Sequence, residues 1–178
     1  QAMLRLRLGA RAGAVEALRR ALQQASRPPV KCYWFDLYAM SAEVAIALWL
    51  DARRRGEGER GPWRPMAAQA VRYLGRFARV FPLGRPRALL YRGLLAWLDG
   101  RPATARRHWR AALDAAERLG MRLDQALALD ILGRHGEPGR RAGYRERARE
   151  LFGQLGVADQ TSPEALAAGL AMGEMRHR

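Results

Sequence analysis

The sequence predicts an all-α fold, and three observations lead to this prediction. Apolar residues make up 49% of the chain, but 33 of its 178 residues are Ala, the strongest helix former. Runs of Val, Ile and Thr that would form strands are absent. Two stretches, Leu8–Ala25 and Asp99–Ala116, align without a gap and place Leu18 opposite Trp109. An internal match of this kind is typical of a helical repeat.

Proline and glycine divide the first half of the chain into four predicted helices. Pro28 and Pro29 stop one helix firmly, because proline lacks the N–H that a helix interior needs. The run Gly56–Pro62 is the most loop-like stretch of the chain, and Pro82 and Gly84 mark the next break. The predicted helices are Gln1–Leu8, Arg11–Ala25, Lys31–Arg54 and Pro65–Phe81.

The second half divides in the same way into five predicted helices. Gly100–Pro102 and Gly136–Gly139 are turns between helices. Ser162 is a candidate cap for a last helix that has Pro163 at its first position. The predicted helices are Arg85–Asp99, Ala103–Leu119, Arg122–His135, Arg141–Leu155 and a terminal helix over 163–176.

Four of these helices share a spacing of small and large residues. A small residue is followed four residues later by a large one, and three residues after that by a further apolar residue. These spacings put all three positions on one helical face, which we expect to pack against other helices. The sets are Ala14, Leu18 and Ala21; Ala70, Leu74 and Phe77; Ala105, Trp109 and Ala112; and Ala148, Phe152 and Leu155.

The unit Arg87–Ala116 resembles a tetratricopeptide repeat (TPR). The matching positions are Gly93 in the first helix, Gly100 at the turn, and Ala105, Trp109 and Ala112 in the second helix. The resemblance implies a TPR-like α-solenoid, a right-handed superhelix of antiparallel helix hairpins with about nine helices. We expect one domain over 1–178, with hairpins near 1–25, 31–81, 85–119 and 122–155. The chain begins with Gln inside a repeat, so we expect a fragment of a larger protein.

A narrower likeness covers Ala70–Gly156, which includes RFARVFPLGRPRALLYRGLLAW from Arg76 and RARELFGQLG from Arg147. This stretch resembles the C-terminal helical region of bacterial AAA/STAND signalling ATPases, the cyclase-linked or MalT-like transcription regulators. The resemblance implies a sensor or partner platform in the cytoplasm. The chain has no G-x-x-x-x-G-K-[ST] string for phosphate binding, so ATPase or cyclase activity would belong to other domains.

The net charge of +15 comes from 31 Arg and one Lys. This balance indicates either a polyanionic or acidic partner or the codon bias of a GC-rich genome. The lone Cys32 excludes an intrachain disulfide and fits a reducing compartment. The longest apolar run, Val44–Leu50, is far shorter than the roughly 20 residues that span a bilayer, so we expect no membrane partner.

No group of residues predicts catalysis, a metal site or a cofactor. His108 and His177 have no evident partner, and His135 is expected at a helix end, where a cation suits the carbonyl dipoles. Cys32 is expected to be a buried small side chain. The carboxylates are scattered, and Asp114 lies four residues from two arginines, as in an ordinary surface ion pair. We therefore expect a protein without enzymatic activity.

Two sets of side chains are candidates for binding. If the first helices of the hairpins line a concave groove, as in a TPR superhelix, apolar side chains there bind a peptide or helix. The alternative is that Leu94 and Trp97 pack between hairpins. The groove candidates are Arg87, Leu90, Leu94 and Trp97, with Trp34 and Tyr38 earlier in the chain.

Arginines spaced by three and four residues form stripes on two second helices. They are either a solvated outer face or an anion-binding surface. Aromatic residues are not expected to interleave with them as a stacking platform requires. The candidates are Arg72, Arg76 and Arg79, and Arg106, Arg107 and Arg110.

The sequence thus predicts a non-catalytic protein–protein interaction or scaffold module. Its partner would be a protein or peptide, possibly acidic, or a neighbouring domain of the parent protein. One alternative is a basic helical domain that binds nucleic acid or another polyanion. The other alternative is a domain that senses a small-molecule inducer.

Overall fold

The computed structural model describes residue 2 and residues 10–27, 31–57 and 61–157. This part of the chain contains seven α-helices, three one-turn 3-10 helices and no strand, which confirms the all-α prediction. The predicted helices Gln1–Leu8 and 163–176 lie outside the described residues, apart from Ala2. The α-helices are α1 (Arg11–Ala25), α2 (Phe35–Arg54), α3 (Trp63–Val80), α4 (Arg85–Leu98), α5 (Pro102–Arg118), α6 (Arg122–His135) and α7 (Arg141–Leu155).

Helix ends follow from the prolines. The helix α3 starts at Trp63, two residues before the predicted start, because Pro65 still lies in the first turn, where its missing N–H is not needed. It ends at Val80, since Phe81 precedes Pro82 and is held in an extended conformation with φ −120° and ψ 105°. The predicted bounds of α1, α6 and α7 are the observed ones.

The described residues fall into two compact units, one ending at Val80 and the other beginning at Phe81. The first unit contains α1, α2 and α3. The second unit contains α4, α5, α6 and α7. The single solenoid domain predicted for the whole chain stays a prediction.

The helix α2 forms the core of the first unit. It packs against both α1 and α3, and every residue from 41 to 49 is buried. Seven of these nine residues are apolar, the exceptions being Ser41 and Glu43, so every side of this part of α2 lies in the core. Tyr38 and Phe77 join α2 to α3 with ring centroids 5.1 Å apart.

The second unit consists of two hairpins, α4 with α5 and α6 with α7, which meet through α5 and α6. Trp109 of α5 is fully buried and donates a hydrogen bond from Nε1 to the Leu90 carbonyl oxygen of α4, at 3.2 Å. A Cβ at Gly93 would overlap the Trp109 indole. Gly93 therefore allows α4 and α5 to approach closely, as the small position of a helical hairpin requires.

The predicted small–large register is confirmed at its first two positions. In all four helices both residues are at most 4% exposed. The third position is buried at Phe77 and Ala112, but Ala21 and Leu155 are partly exposed. The inward face of each helix is therefore set by the small and large residues four apart.

Candidate functional site

The predicted groove residues of the second unit lie mostly in its core. Leu90 and Leu94 are 4% and 1% exposed. Arg87 is also buried, and its Nε lies 2.8 Å from Asp124 Oδ1 of α6. Only Trp97 keeps part of its surface exposed. The burial of Leu94 favours the alternative in which these side chains pack within the unit.

Trp97 belongs to an aromatic cluster at the end of α6. Its ring centroid lies 4.6 Å from that of His135 and 5.8 Å from that of Trp109. Burial lowers the pKa of His135 below its ordinary value of 6.5, and the Arg134 and Arg141 guanidinium groups lower it further. His135 is the last residue of α6, as predicted, but its surroundings favour the neutral imidazole over a helix-end cation.

Trp34 and Tyr38 lie at the start of α2 in the first unit. Tyr38 is 2% exposed, and burial raises the pKa of its hydroxyl, although the Arg76 guanidinium acts in the opposite direction. Trp34 is partly exposed in a 3-10 turn, with Lys31 Nζ 5.4 Å from its ring centroid. Tyr38 therefore belongs to the core, and Trp34 to the surface.

Cys32 is exposed, so the expected burial of this side chain is wrong. It lies in the 3-10 turn Cys32–Trp34 that precedes α2. Among the described residues, no three His, Cys, Asp or Glu side chains come together as metal ligands. None of the described helices combines the length and apolarity needed to cross a bilayer.

Arg72, Arg76 and Arg79 are all exposed on α3, and we call these three residues the arginine stripe. None of them forms an ion pair with a described carboxylate. The cause is visible in the sequence, because residues 60–98 contain neither Asp nor Glu. Within the part of the chain that the structure describes, the stripe is therefore a surface of uncompensated positive charge.

One aromatic ring does lie among these arginines, contrary to the expectation from the sequence. The Arg76 guanidinium carbon lies 5.8 Å from the centroid of the Tyr73 ring, within the range of a cation–π contact. The Tyr73 hydroxyl also accepts a hydrogen bond from Gln69 Nε2, at 3.0 Å. These contacts hold Tyr73 in place beside the stripe.

The other predicted stripe, Arg106, Arg107 and Arg110, lies on α5 of the second unit. Arg110 Nη1 is 3.1 Å from Glu137 Oε1, and Arg106 is only partly exposed. Burial, together with Arg107 and two further arginines, lowers the pKa of His108 on the same helix. One arginine of this second stripe is thus paired with a carboxylate of the same unit.

A groove between α1 and α3 was not predicted from the sequence. Its cavity has a volume of about 370 Å³. Met66, Gln69 and Tyr73 follow the three- and four-residue spacing of one helical face, but this spacing does not indicate that α1 lies opposite them. We call it the polar groove. Its lining includes Arg19, Leu22 and Gln23 of α1 and Met66, Gln69 and Tyr73 of α3.

Comparison of the chain with protein-family models, curated proteins and solved structures gave no match.

Proposed function

We propose that this chain is a non-catalytic interaction module that binds an acidic protein partner through the arginine stripe of α3. The observation that carries the proposal is that Arg72, Arg76 and Arg79 are exposed and have no ion pair with a described carboxylate. Uncompensated positive charge attracts an acidic surface, raises the association rate and disfavours basic partners.

The geometry of α3 suits this role. Residues of its opposite face, including Ala70, Leu74 and Phe77, are buried. The spacing from Arg72 to Arg79 is seven residues, which corresponds to about 10 Å along a helix. The helix axis is thus fixed by packing, while the three long side chains extend into solvent. Carboxylates at a similar spacing on a partner would pair with them.

The resemblance to TPR arrays and to the helical region of AAA/STAND ATPases supports a partner-binding role. In such a protein the acidic surface would lie on a neighbouring domain or on a separate cytoplasmic protein. Signalling or transcription control would then depend on whether that surface occupies α3. Any ATP or cyclase chemistry would take place in those other domains.

Binding of nucleic acid is the second candidate function. It is favoured by the net charge of +15 and by the Tyr73 ring beside Arg76, since bases stack on aromatic rings next to cations. The contacts would be mainly to phosphate, and affinity would fall steeply with salt.

The experiment measures binding of an oligoglutamate peptide and of a mixed-sequence DNA duplex by fluorescence anisotropy. In the test variant Arg72, Arg76 and Arg79 are changed to Gln. Exposed ion pairs contribute roughly 0.2–1 kcal/mol each, so we expect the peptide affinity to fall by about tenfold.

The matched control changes Arg92, Arg118 and Arg149 to Gln. These residues are exposed in the second unit and form no ion pair with a described carboxylate. The net charge changes equally in both variants, so any difference between them reports on the position of the arginines. We expect the peptide affinity of the control to fall by less than about twofold. Equal losses would contradict a binding surface on α3. Tight duplex binding that both variants weaken alike would favour the nucleic-acid function.

A further inference from the structure

The polar groove lies next to the arginine stripe in the first unit. Tyr73 belongs to both surfaces, because its ring lines the groove and also contacts the Arg76 guanidinium. The residues Met66, Gln69, Tyr73 and Arg76 follow one another at spacings of three, four and three on α3. A ligand bound along the stripe would therefore also pass the mouth of the groove.

The lining of the groove is amphipathic. Leu22 is buried and Met66 is partly buried, so together they supply an apolar floor. Gln23 is exposed at the rim, and the Gln69 amide is held by its hydrogen bond to Tyr73. The cavity of 370 Å³ is at the small end of the range for ligand sites, and fits one or two side chains.

Both walls of the groove carry positive charge. Arg19 of α1 is exposed and has no ion pair with a described carboxylate, and Arg76 continues the α3 wall. The carboxylate of Glu16 on α1 is already paired with Arg20 at 3.1 Å. An apolar floor between two cations without a described carboxylate partner fits an apolar side chain that has carboxylates on either side.

We propose that the polar groove binds one apolar side chain of an acidic peptide segment in the partner. Carboxylates flanking this side chain contact Arg19 on one wall and Arg76 on the other. The inference rests on the proposed function and adds the chemistry that selects among acidic partners. Charge alone attracts any acidic chain, whereas the groove distinguishes chains with an apolar residue at the centre of the acidic run.

The test uses two short peptides of equal charge, Glu-Glu-Glu-Leu-Glu-Glu-Glu and the same peptide with Ser in place of Leu. Both are titrated against the full chain at low salt, about 50 mM, where charge pairing is strong. Leucine gains by leaving water, so we expect the Leu peptide to bind about fivefold more tightly than the Ser peptide.

Two neighbouring glutamines provide a matched pair of variants. Gln23 and Gln24 are both exposed on α1, but only Gln23 lines the groove. Gln23→Trp fills the groove without changing the charge and should abolish the preference for the Leu peptide. Gln24→Trp should leave the preference unchanged. As a variant that preserves the helix, Gln23→Glu should weaken binding of both peptides more than Gln24→Glu does.

Equal affinity of the two peptides for the unaltered chain would overturn the inference, as would a Leu preference that survives Gln23→Trp. In either case a loss of binding in the arginine-stripe variant would leave the proposed function standing. Failure of the proposed function is a separate result, in which the stripe variant binds both peptides as tightly as the unaltered chain. Loss of duplex DNA binding in Gln23→Trp without any Leu preference would overturn the inference in favour of a polyanion site.

Discussion

The two units use arginine in different ways. In the second unit, some arginines join separate elements, as in the pairs Arg87–Asp124 at 2.8 Å and Arg147–Glu117 at 3.1 Å. The first unit does this at Arg11, which lies 2.7 Å from Glu57 and contacts the Trp63 ring. Its helix α3 instead carries the arginine stripe, which has no described carboxylate partner.

The difference shows that the number of arginines does not reveal their role. An arginine that pairs with a carboxylate of another helix helps to fix the packing of the two helices. An arginine on a helix that lacks nearby carboxylates contributes little to folding and stays available for a partner. The lack of Asp and Glu in residues 60–98 creates this second situation on α3.

The strongest test of the comparison removes a buried arginine from the second unit. Arg87→Ala leaves the buried Asp124 carboxylate without this partner, and we expect the free energy of unfolding to fall by roughly 3 kcal/mol. Arg72→Ala on α3 should change it by less than about 0.5 kcal/mol. Urea denaturation measures both values. Similar losses of unfolding free energy in the two variants would show that Arg87 and Arg72 contribute equally to the stability of the fold.

A second pair of substitutions separates packing from charge. Gly93→Ala forces a Cβ into the Trp109 indole, and we expect a loss of about 2 kcal/mol and a lower melting temperature. In Gly143→Ala on α7 the new Cβ meets no atom within 4 Å, so the variant should gain up to about 1 kcal/mol from helix propensity. Thermal unfolding that lowers both melting temperatures equally would contradict the tight contact between α4 and α5.

The smallest expected effect is a pH dependence in the second unit. Because folding lowers the pKa of His135 below 6.5, the unfolded chain binds the proton more readily. The contribution of His135 to the free energy of unfolding is fully present above about pH 6.5. It decreases as the pH falls through the lowered pKa. His135→Phe keeps an aromatic ring next to Trp97 but cannot be protonated.

The free energy of unfolding should therefore fall less steeply between about pH 7 and pH 5 in His135→Phe than in the unaltered chain. His108 remains in both proteins and titrates in the same direction, so only the difference between the two slopes reports on His135. Identical slopes would contradict the effect of burial on this imidazole.

Local features of the sequence were sufficient to predict the seven described α-helices, although α2 begins at Phe35, four residues after its predicted start at Lys31. Pro82 predicts the end of α3 to within one residue, because the residue before a proline is held extended. Ala105 and Trp109 predict the buried face of α5, since residues four apart lie on the same side of a helix. Such features act over a few residues, which is why they can be recognised without tertiary contacts.

The candidate site was predicted only in part. The arginine stripe follows from its spacing, and the structure describes all three of its residues as exposed. The polar groove could not be predicted, because it needs Gln23 of α1 and Gln69 of α3 on facing walls. No local pattern determines which two helices lie side by side with a gap between them.

By itself, the sequence determined the all-α class, most helix ends and the buried small–large faces, because backbone geometry and helical periodicity operate locally. Only the tertiary structure decided which arginines are paired. The Arg87–Asp124 pair joins residues 37 positions apart, and its distance depends on how α4 and α6 pack. The same packing places His135 against Trp97.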